Sequence, residues 1–258
     1  MTPCKDPQGG GPELVLLHGW GMNAAVWETL APAFGDVRRQ SRIELPGHGA
    51  SPFEQGHDNL AAWAQACLEA APEQAVWVGW SLGGLVALQA ALQAPERIAA
   101  LILVTATPRF VRASDWSTAV PAQTLEQFHT SLVADPAPAL ERFLALQVRG
   151  SDEARTTLRA LRREIARRPS PDPSALALGL DLLREEDLRG RLAEVTCPTL
   201  WLFGERDTLV PAAAAEGVAS LLPQARLRVI PGAAHAPFLS HPQETTAEIA
   251  EFLAGFPC

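Results

Sequence analysis

Short apolar segments alternate along this chain with longer amphipathic ones, and this alternation constrains the fold more than any other feature. Strands are predicted at residues 14–17, 39–45, 75–79, 99–104, 199–203 and 227–230. Helices are predicted among them at residues 60–71, 82–94, 212–222 and 243–252. Several of the strands are apolar throughout, as expected where both faces of a parallel sheet are covered. We therefore expect an α/β fold with a mostly parallel central sheet flanked by helices.

The alternation stops between residues 108 and 192, where no strand is evident. This segment predicts helices, separated by prolines, at residues 124–134, 138–148, 153–167 and 174–183. It is too long for a plain connection, so we expect a helical cap (residues 108–192) inserted between strands of a core domain (residues 1–107 and 193–258). Ligands of open α/β sheets bind at the carboxyl ends of the strands, and a cap there would cover the site.

The composition excludes several classes of protein. With 258 residues, 47% of them hydrophobic, the chain can bury the core of one large domain. A net charge of -8 argues against general nucleic-acid binding. No apolar run reaches the roughly 18 residues of a membrane span, and the polar residues 1–11 do not resemble a signal peptide.

Four cysteines, Cys4, Cys67, Cys197 and Cys258, match no zinc-binding spacing. We expect free thiols in a reducing compartment, and therefore a cytoplasmic protein. We also expect a monomer that needs no metal or other cofactor.

Gly79-Trp80-Ser81-Leu82-Gly83 stands between a predicted strand and a predicted helix. G-x-S-x-G in this setting is typical of the nucleophile elbow of the α/β-hydrolase fold, in which a strained turn projects the serine hydroxyl above the sheet. The start of a helix also favours developing negative charge. A chance match in a glycine-rich turn is the alternative, and the flanking strand and helix argue against it. Ser81 is therefore the predicted nucleophile.

His18-Gly19-Trp20-Gly21 directly follows the first predicted strand. In the α/β-hydrolase fold this loop supplies one main-chain N–H to the oxyanion hole, and the residue after the nucleophile supplies the other. We therefore predict an oxyanion hole at Trp20 and Leu82. An ordinary glycine-rich turn would look the same, so this prediction depends on the elbow.

The predicted general base is His235, which lies between the last predicted strand and the last helix. It follows the serine, as the chain order serine, acid, histidine of this fold requires. His241 is an alternative, but it precedes Pro242 at the start of a predicted helix. The other histidines precede the serine or lie in the predicted cap: His18, His48, His57 and His129.

The predicted acid is Asp207, in the loop after the strand at residues 199–203 and before a helix that Pro211 would open. A buried carboxylate there can accept a hydrogen bond from the histidine Nδ1–H and stabilise the imidazolium. Glu205 is the alternative, although the position two residues further along is the usual one.

Six stretches of the sequence resemble the pimeloyl-[acyl-carrier protein] methyl ester esterases of biotin synthesis, and the likeness covers nearly the whole chain. They are LVLLHGWGMNAAVW at 14–27, ELPGHGAS at 44–51, VWVGWSLGGLVALQAAL at 76–92, ERFLALQ at 141–147, DTLVP at 207–211 and AAHAPFLSHP at 233–242. The resemblance implies a serine carboxylesterase that removes the methyl group from a pimeloyl ester held on acyl-carrier protein. It implies substrate contacts at Trp20, Ser81, Leu82, Phe143, Leu144, Ala145, Leu146, Gln147 and His235.

Residues 141–168 hold eight arginines against four acidic residues, a net charge of +4 in an acidic chain. Arg155, Arg159 and Arg162 fall at i, i+4 and i+7 and so share one helical face. With Arg142, they are predicted to dock the acidic carrier protein. A solvated helix in an arginine-rich chain explains the same charges.

Other functions remain open at this point. A general small-ester carboxylesterase, a lactonase and a carbon–carbon bond hydrolase would use the same three residues. A non-catalytic ligand-binding protein of this fold would not need to keep serine, acid and histidine in order.

Overall fold

The computed structural model describes residues 12–30 and 39–256. Its centre is a six-stranded sheet with the order β2-β1-β3-β4-β5-β6, in which every strand pair is parallel. The strands are β1 (Glu13–Leu17), β2 (Gln40–Ile43), β3 (Ala75–Trp80), β4 (Ile98–Val104), β5 (Thr199–Gly204) and β6 (Arg226–Ile230). The predicted α/β architecture is confirmed, and β2 is the strand that departs most from its predicted bounds.

The side chains of each inner strand divide between two apolar clusters, one on each face of the sheet. In β1, Leu14 and Leu16 belong to one cluster and Val15 and Leu17 to the other. This follows from the two-residue period of a strand. Because both faces are covered, β3 and β5 are buried along their whole length, which explains why their sequences are apolar throughout.

Helices cover both faces of the sheet. Outside the predicted cap they are α1 (Leu60–Ala70), α2 (Leu82–Gln93), α7 (Ala214–Leu221), α8 (Pro237–Ser240) and α9 (Pro242–Leu253). Helix α7 begins two residues later than predicted. Residues 211–214 first form a turn, in which the Ala214 N–H donates to the Pro211 carbonyl at 2.8 Å.

Four helices lie between β4 and β5 in the chain, where helices without strands were predicted. They are α3 (Ala122–Ala134), α4 (Pro136–Gln147), α5 (Ala154–Ile165) and α6 (Pro173–Glu185). Asn23, in the loop after β1, donates to the main-chain oxygens of Glu164 and Ile165, each at 3.1 Å. These bonds satisfy carbonyls at the end of α5 and attach it to the core. The domain boundaries at 107/108 and 192/193 stay a prediction.

Two of the four cysteines can be described, and both are free thiols. Burial raises the pKa of Cys67 to about 12 and that of Cys197 to about 11, so neither forms a reactive thiolate at neutral pH. Cys4 and Cys258 lie outside the described residues, as does the polar segment of residues 1–11. Within residues 12–30 and 39–256, none of the helices combines the length and apolar character needed to cross a membrane.

Candidate active site

Ser81 lies in the tight turn between β3 and α2, with φ 55° and ψ -118°. Few residues other than glycine adopt this backbone, and it persists because the surroundings enforce it. Strand and helix meet so closely here that the flanking glycines have no room for a side chain. A Cβ on Gly79 would lie 2.4 Å from the Gly83 carbonyl oxygen, and one on Gly83 would lie 2.4 Å from that of His18. The two glycines of the G-x-S-x-G pattern are therefore required by the close packing around the turn.

The structure brings Ser81, His235 and Asp207 together, although they follow three different strands. His235 Nδ1 lies 2.7 Å from Asp207 Oδ2, and His235 Nε2 lies 2.8 Å from Ser81 Oγ. Because a carboxylate can only accept, Nδ1 carries the proton and Nε2 is free to accept from the serine hydroxyl. All three residues are at most 5% exposed. This chain of hydrogen bonds can move a proton from serine to histidine, shielded from bulk water.

The carboxylate of Asp207 uses both of its oxygens. Oδ2 faces His235, while Oδ1 accepts from the main-chain N–H groups of Leu209 at 2.8 Å and Val210 at 3.0 Å. These bonds hold the carboxylate in one orientation. Glu205, the alternative acid, is directed elsewhere and accepts from the Gly232 N–H at 2.8 Å.

The predicted oxyanion-hole residues lie beside the elbow. Among the residues described, neither the Trp20 nor the Leu82 main-chain N–H has a hydrogen-bond acceptor, so both can bind a ligand oxygen. His18 fixes the loop that carries Trp20. It accepts from the Leu45 N–H at 3.0 Å through Nε2, and its Nδ1 lies 2.9 Å from the Gly19 carbonyl oxygen.

Aromatic and aliphatic side chains of the helices cover this loop. The Phe143 ring contacts the Trp20 ring at a centroid distance of 4.6 Å, and Phe128 contacts Phe143 at 5.2 Å. Leu140 is so close to Gly21 that a Cβ on this glycine would lie 2.5 Å from it. Side chains of α3 and α4 therefore form an apolar cover over the loop that carries Trp20.

The five predicted contact residues of α4 do not share one side of the helix. Phe143 and Leu146 pack with the cluster that contains Trp20, whereas Leu144 packs in the cluster on the other face of the sheet. Ala145 is exposed to solvent. Gln147 is buried, and its carbonyl accepts from the His235 N–H at 3.0 Å. Their role as substrate contacts stays a prediction.

The predicted docking arginines are all exposed, but one of them already has a partner. Arg162 of α5 pairs with Glu141 of α4 at 2.7 Å. Arg142, Arg155 and Arg159 form no ion pair within the described part of the chain; two of their contacts are to main-chain oxygens, at 3.3 Å from Arg142 to Pro138 and 3.4 Å from Arg159 to Arg155.

Two neighbours of His235 were not predicted from the sequence. The Trp80 indole and the Thr105 hydroxyl each donate to the His235 carbonyl at 2.7 Å. Trp80 could have been inferred from its place next to the serine, whereas a single threonine after a strand carries no signal. In the described residues no cluster of His, Cys, Asp and Glu is arranged to hold a metal ion.

Comparison with known proteins agrees with this fold. A model of the α/β-hydrolase fold matches residues 12–242. Pimeloyl-[acyl-carrier protein] methyl ester esterase of Photobacterium profundum is 43% identical over 97% of this chain and 98% of its own length. The esterase of the same name from Edwardsiella ictaluri is 45% identical over 95% of this chain and 95% of its own length. An esterase from Exiguobacterium antarcticum shares the fold with a TM-score of 0.84 at 21% identity, over 95% of this chain and 93% of its own.

The fold and the family match define an α/β hydrolase. The identities of 43–45% over nearly the full length carry the assignment one step further. The chain belongs to the pimeloyl-[acyl-carrier protein] methyl ester esterases, a family of carboxylic ester hydrolases, and the resemblance predicted from the sequence is confirmed.

Proposed function

We propose that the protein hydrolyses the methyl ester of a pimeloyl group carried on acyl-carrier protein, with Ser81 as nucleophile, His235 as general base and Asp207 as the residue that orients the base. The observation that carries the proposal is the continuous hydrogen-bond chain from Asp207 through His235 to Ser81, with distances of 2.7 and 2.8 Å. The names of the relatives supply the substrate.

The reaction begins when His235 Nε2 takes the proton of Ser81 as its Oγ attacks the ester carbonyl. The negative charge that develops on the carbonyl oxygen is stabilised by the main-chain N–H groups of Trp20 and Leu82. Methanol leaves with the proton from His235. The same histidine then deprotonates a water molecule, which attacks the acyl-enzyme and releases the free carboxylate.

Two further features support this substrate. The apolar cover formed by Phe143, Phe128 and Leu140 suits an aliphatic acyl chain better than a polar one. The exposed guanidinium groups of Arg142, Arg155 and Arg159, without acidic partners in the described chain, suit an acidic carrier protein.

The direct test presents the purified enzyme with pimeloyl-acyl-carrier protein methyl ester and measures methanol and free acid by mass spectrometry. Ser81→Ala is expected to lower kcat by about 10⁴-fold or more while the protein stays folded. Ser220→Ala is the matched control, because Ser220 is exposed and its hydroxyl bonds only the Glu216 carbonyl. We also expect a fluorophosphonate probe to label Ser81, and the gene to restore growth of a biotin auxotroph that lacks its own esterase.

Two results would contradict the proposal. Retention of more than about a tenth of the wild-type rate by Ser81→Ala would remove Ser81 from the mechanism. Equal kcat/KM for the carrier-bound ester and for the same ester free in solution would favour a general carboxylesterase.

A further inference from the structure

Thr105, the first residue after β4, has φ 42°. Among the described residues other than glycine, Ser81 is the only other one with a positive φ. A β-branched residue is rarer still in this region, because its second γ atom adds to the crowding that the Cβ already causes against the backbone. Such a backbone persists only where the surroundings hold it, and it commonly marks a functional position.

Residues 104 and 105 have hydrogen bonds to Ser81, to His235 and to the strand that precedes Asp207. The Val104 carbonyl accepts from the Ser81 N–H at 3.0 Å, and the Thr105 N–H donates to the Leu202 carbonyl of β5 at 2.7 Å. The Thr105 hydroxyl donates to the His235 carbonyl, also at 2.7 Å. Two consecutive residues therefore connect the main chain of the elbow, the strand that precedes Asp207 and the main chain of His235.

We propose that Thr105 is a positioning residue, whose hydroxyl fixes the main chain of His235 relative to Ser81 and so sets the distance between Nε2 and Oγ. The inference rests on the proposed triad. Thr105 is completely buried, and it donates hydrogen bonds to the carbonyl groups of His235 and Leu202. It acts through His235 and has no contact with the reacting atoms.

The arrangement separates a positioning role from a general need for a buried hydrogen bond. The His235 carbonyl also accepts from the Trp80 indole at 2.7 Å. When the Thr105 hydroxyl is removed, this carbonyl therefore keeps one donor and is not left unpaired in the core. The His235 carbonyl is then held by the Trp80 indole alone and no longer from the side of Thr105.

Three substitutions separate the hydroxyl from the strained backbone. Thr105→Val keeps the shape and the β-branch but has no hydroxyl, Thr105→Gly removes the steric strain and the hydroxyl, and Thr105→Ser keeps the hydroxyl. The matched control is Thr107→Val, since Thr107 is also buried, two residues further on, and its hydroxyl donates to the Arg109 carbonyl at 3.2 Å.

The measurement is kcat and KM for a short p-nitrophenyl ester, with the labelling rate of a fluorophosphonate probe and the melting temperature in parallel. Thr105→Val and Thr105→Gly are expected to lower kcat and the labelling rate about 10- to 100-fold, with KM changed by less than about threefold. Thr105→Ser and Thr107→Val should remain within about threefold of wild type.

Wild-type kcat in Thr105→Val, with Ser81→Ala inactive, would overturn the positioning role and leave the triad intact. Retained activity in Ser81→Ala would instead overturn the proposed function itself. If Thr105→Ser loses kcat together with Thr105→Val, and both lose melting temperature, the residue supports the fold and the positioning role is wrong.

Discussion

The indole Nε1 of Trp20 donates a hydrogen bond to the Leu176 carbonyl oxygen, 2.8 Å away, and so joins the loop after β1 to helix α6. The helix comes closest at Gly179, where a Cβ would lie 2.8 Å from the Trp20 ring and 3.2 Å from the Leu82 side chain. Helix α6 therefore rests on both residues proposed to bind the oxyanion, and its position fixes theirs.

From this contact we expect Gly179→Ala to impair catalysis without unfolding the protein. Alanine favours a helix over glycine by about 1 kcal/mol, which offsets part of the cost of overpacking. The displaced Trp20 should lower kcat about tenfold, because oxyanion donors act only when correctly placed. Steady-state kinetics on a short ester measures the effect. Gly190→Ala is the control, since its Cβ position has no atom within 4 Å beyond the adjoining residues, and an unchanged kcat in Gly179→Ala would show that Trp20 tolerates displacement.

The two acidic residues of the loop after β5 should differ strongly in their effect on kcat. Asp207→Asn leaves the histidine free to adopt the wrong tautomer and removes the charge that stabilises the imidazolium, a loss of about 10⁴-fold. Glu205→Gln removes only an exposed carboxylate that accepts from the Gly232 N–H, and we expect less than about a threefold change. Comparing kcat of the two variants at neutral pH shows which carboxylate orients the histidine, and the reverse ranking would assign the acid to Glu205.

The sequence predicted those features that repeat or that follow a fixed chain order. Alternating apolar segments gave the strands to within a few residues, because a strand buried on both faces must be apolar throughout. Ser81, Asp207 and His235 could be selected because the fold imposes the order in which they occur. The spacing of the helices between β4 and β5 followed from their prolines and their amphipathic period.

Contacts made by single side chains across the fold could not be predicted in this way. Nothing in the sequence distinguishes Thr105 from Thr107, since a hydroxyl becomes informative only when its acceptor is known. Likewise, i, i+4, i+7 spacing placed Arg162 with Arg155 and Arg159, but its ion pair with Glu141 joins two helices. Such pairing depends on helix packing, which the sequence pattern of one helix does not contain.

Protonation of His48 should make the protein less stable in acid. Burial, together with repulsion from the nearby His18, lowers the pKa of His48 to about 3 from 6.5. As the pH falls, the unfolded chain therefore binds a proton that the folded protein excludes, and stability is lost from about pH 7 downward. Between pH 7 and pH 5 this group should lower the free energy of unfolding by about 2 kcal/mol.

Chemical denaturation of the wild type and of His48→Gln at both pH values measures this contribution, because the variant lacks the group that titrates on unfolding. The variant should be less stable at pH 7, since His48 is completely buried, but its stability should fall by about 2 kcal/mol less on acidification. Parallel loss in both proteins would mean that His48 does not titrate on unfolding in this range.

The arginines of α5 should contribute unequally to carrier docking. Arg155 and Arg159 form no ion pair in the described residues, whereas Arg162 already pairs with Glu141 at 2.7 Å. Two exposed contacts of about 0.2–1 kcal/mol each correspond to roughly a 2- to 30-fold loss of kcat/KM in the double variant Arg155→Gln, Arg159→Gln. The loss should appear with the carrier-bound ester and not with a short free ester, and should shrink as salt screens the wild-type contact.

Arg162→Gln, the matched control, should lose less because its guanidinium must leave Glu141 to bind a partner. An equal fall on both substrates would mean that Arg155 and Arg159 support the fold of helix α5, and no fall on either would make them solvated residues of an arginine-rich helix.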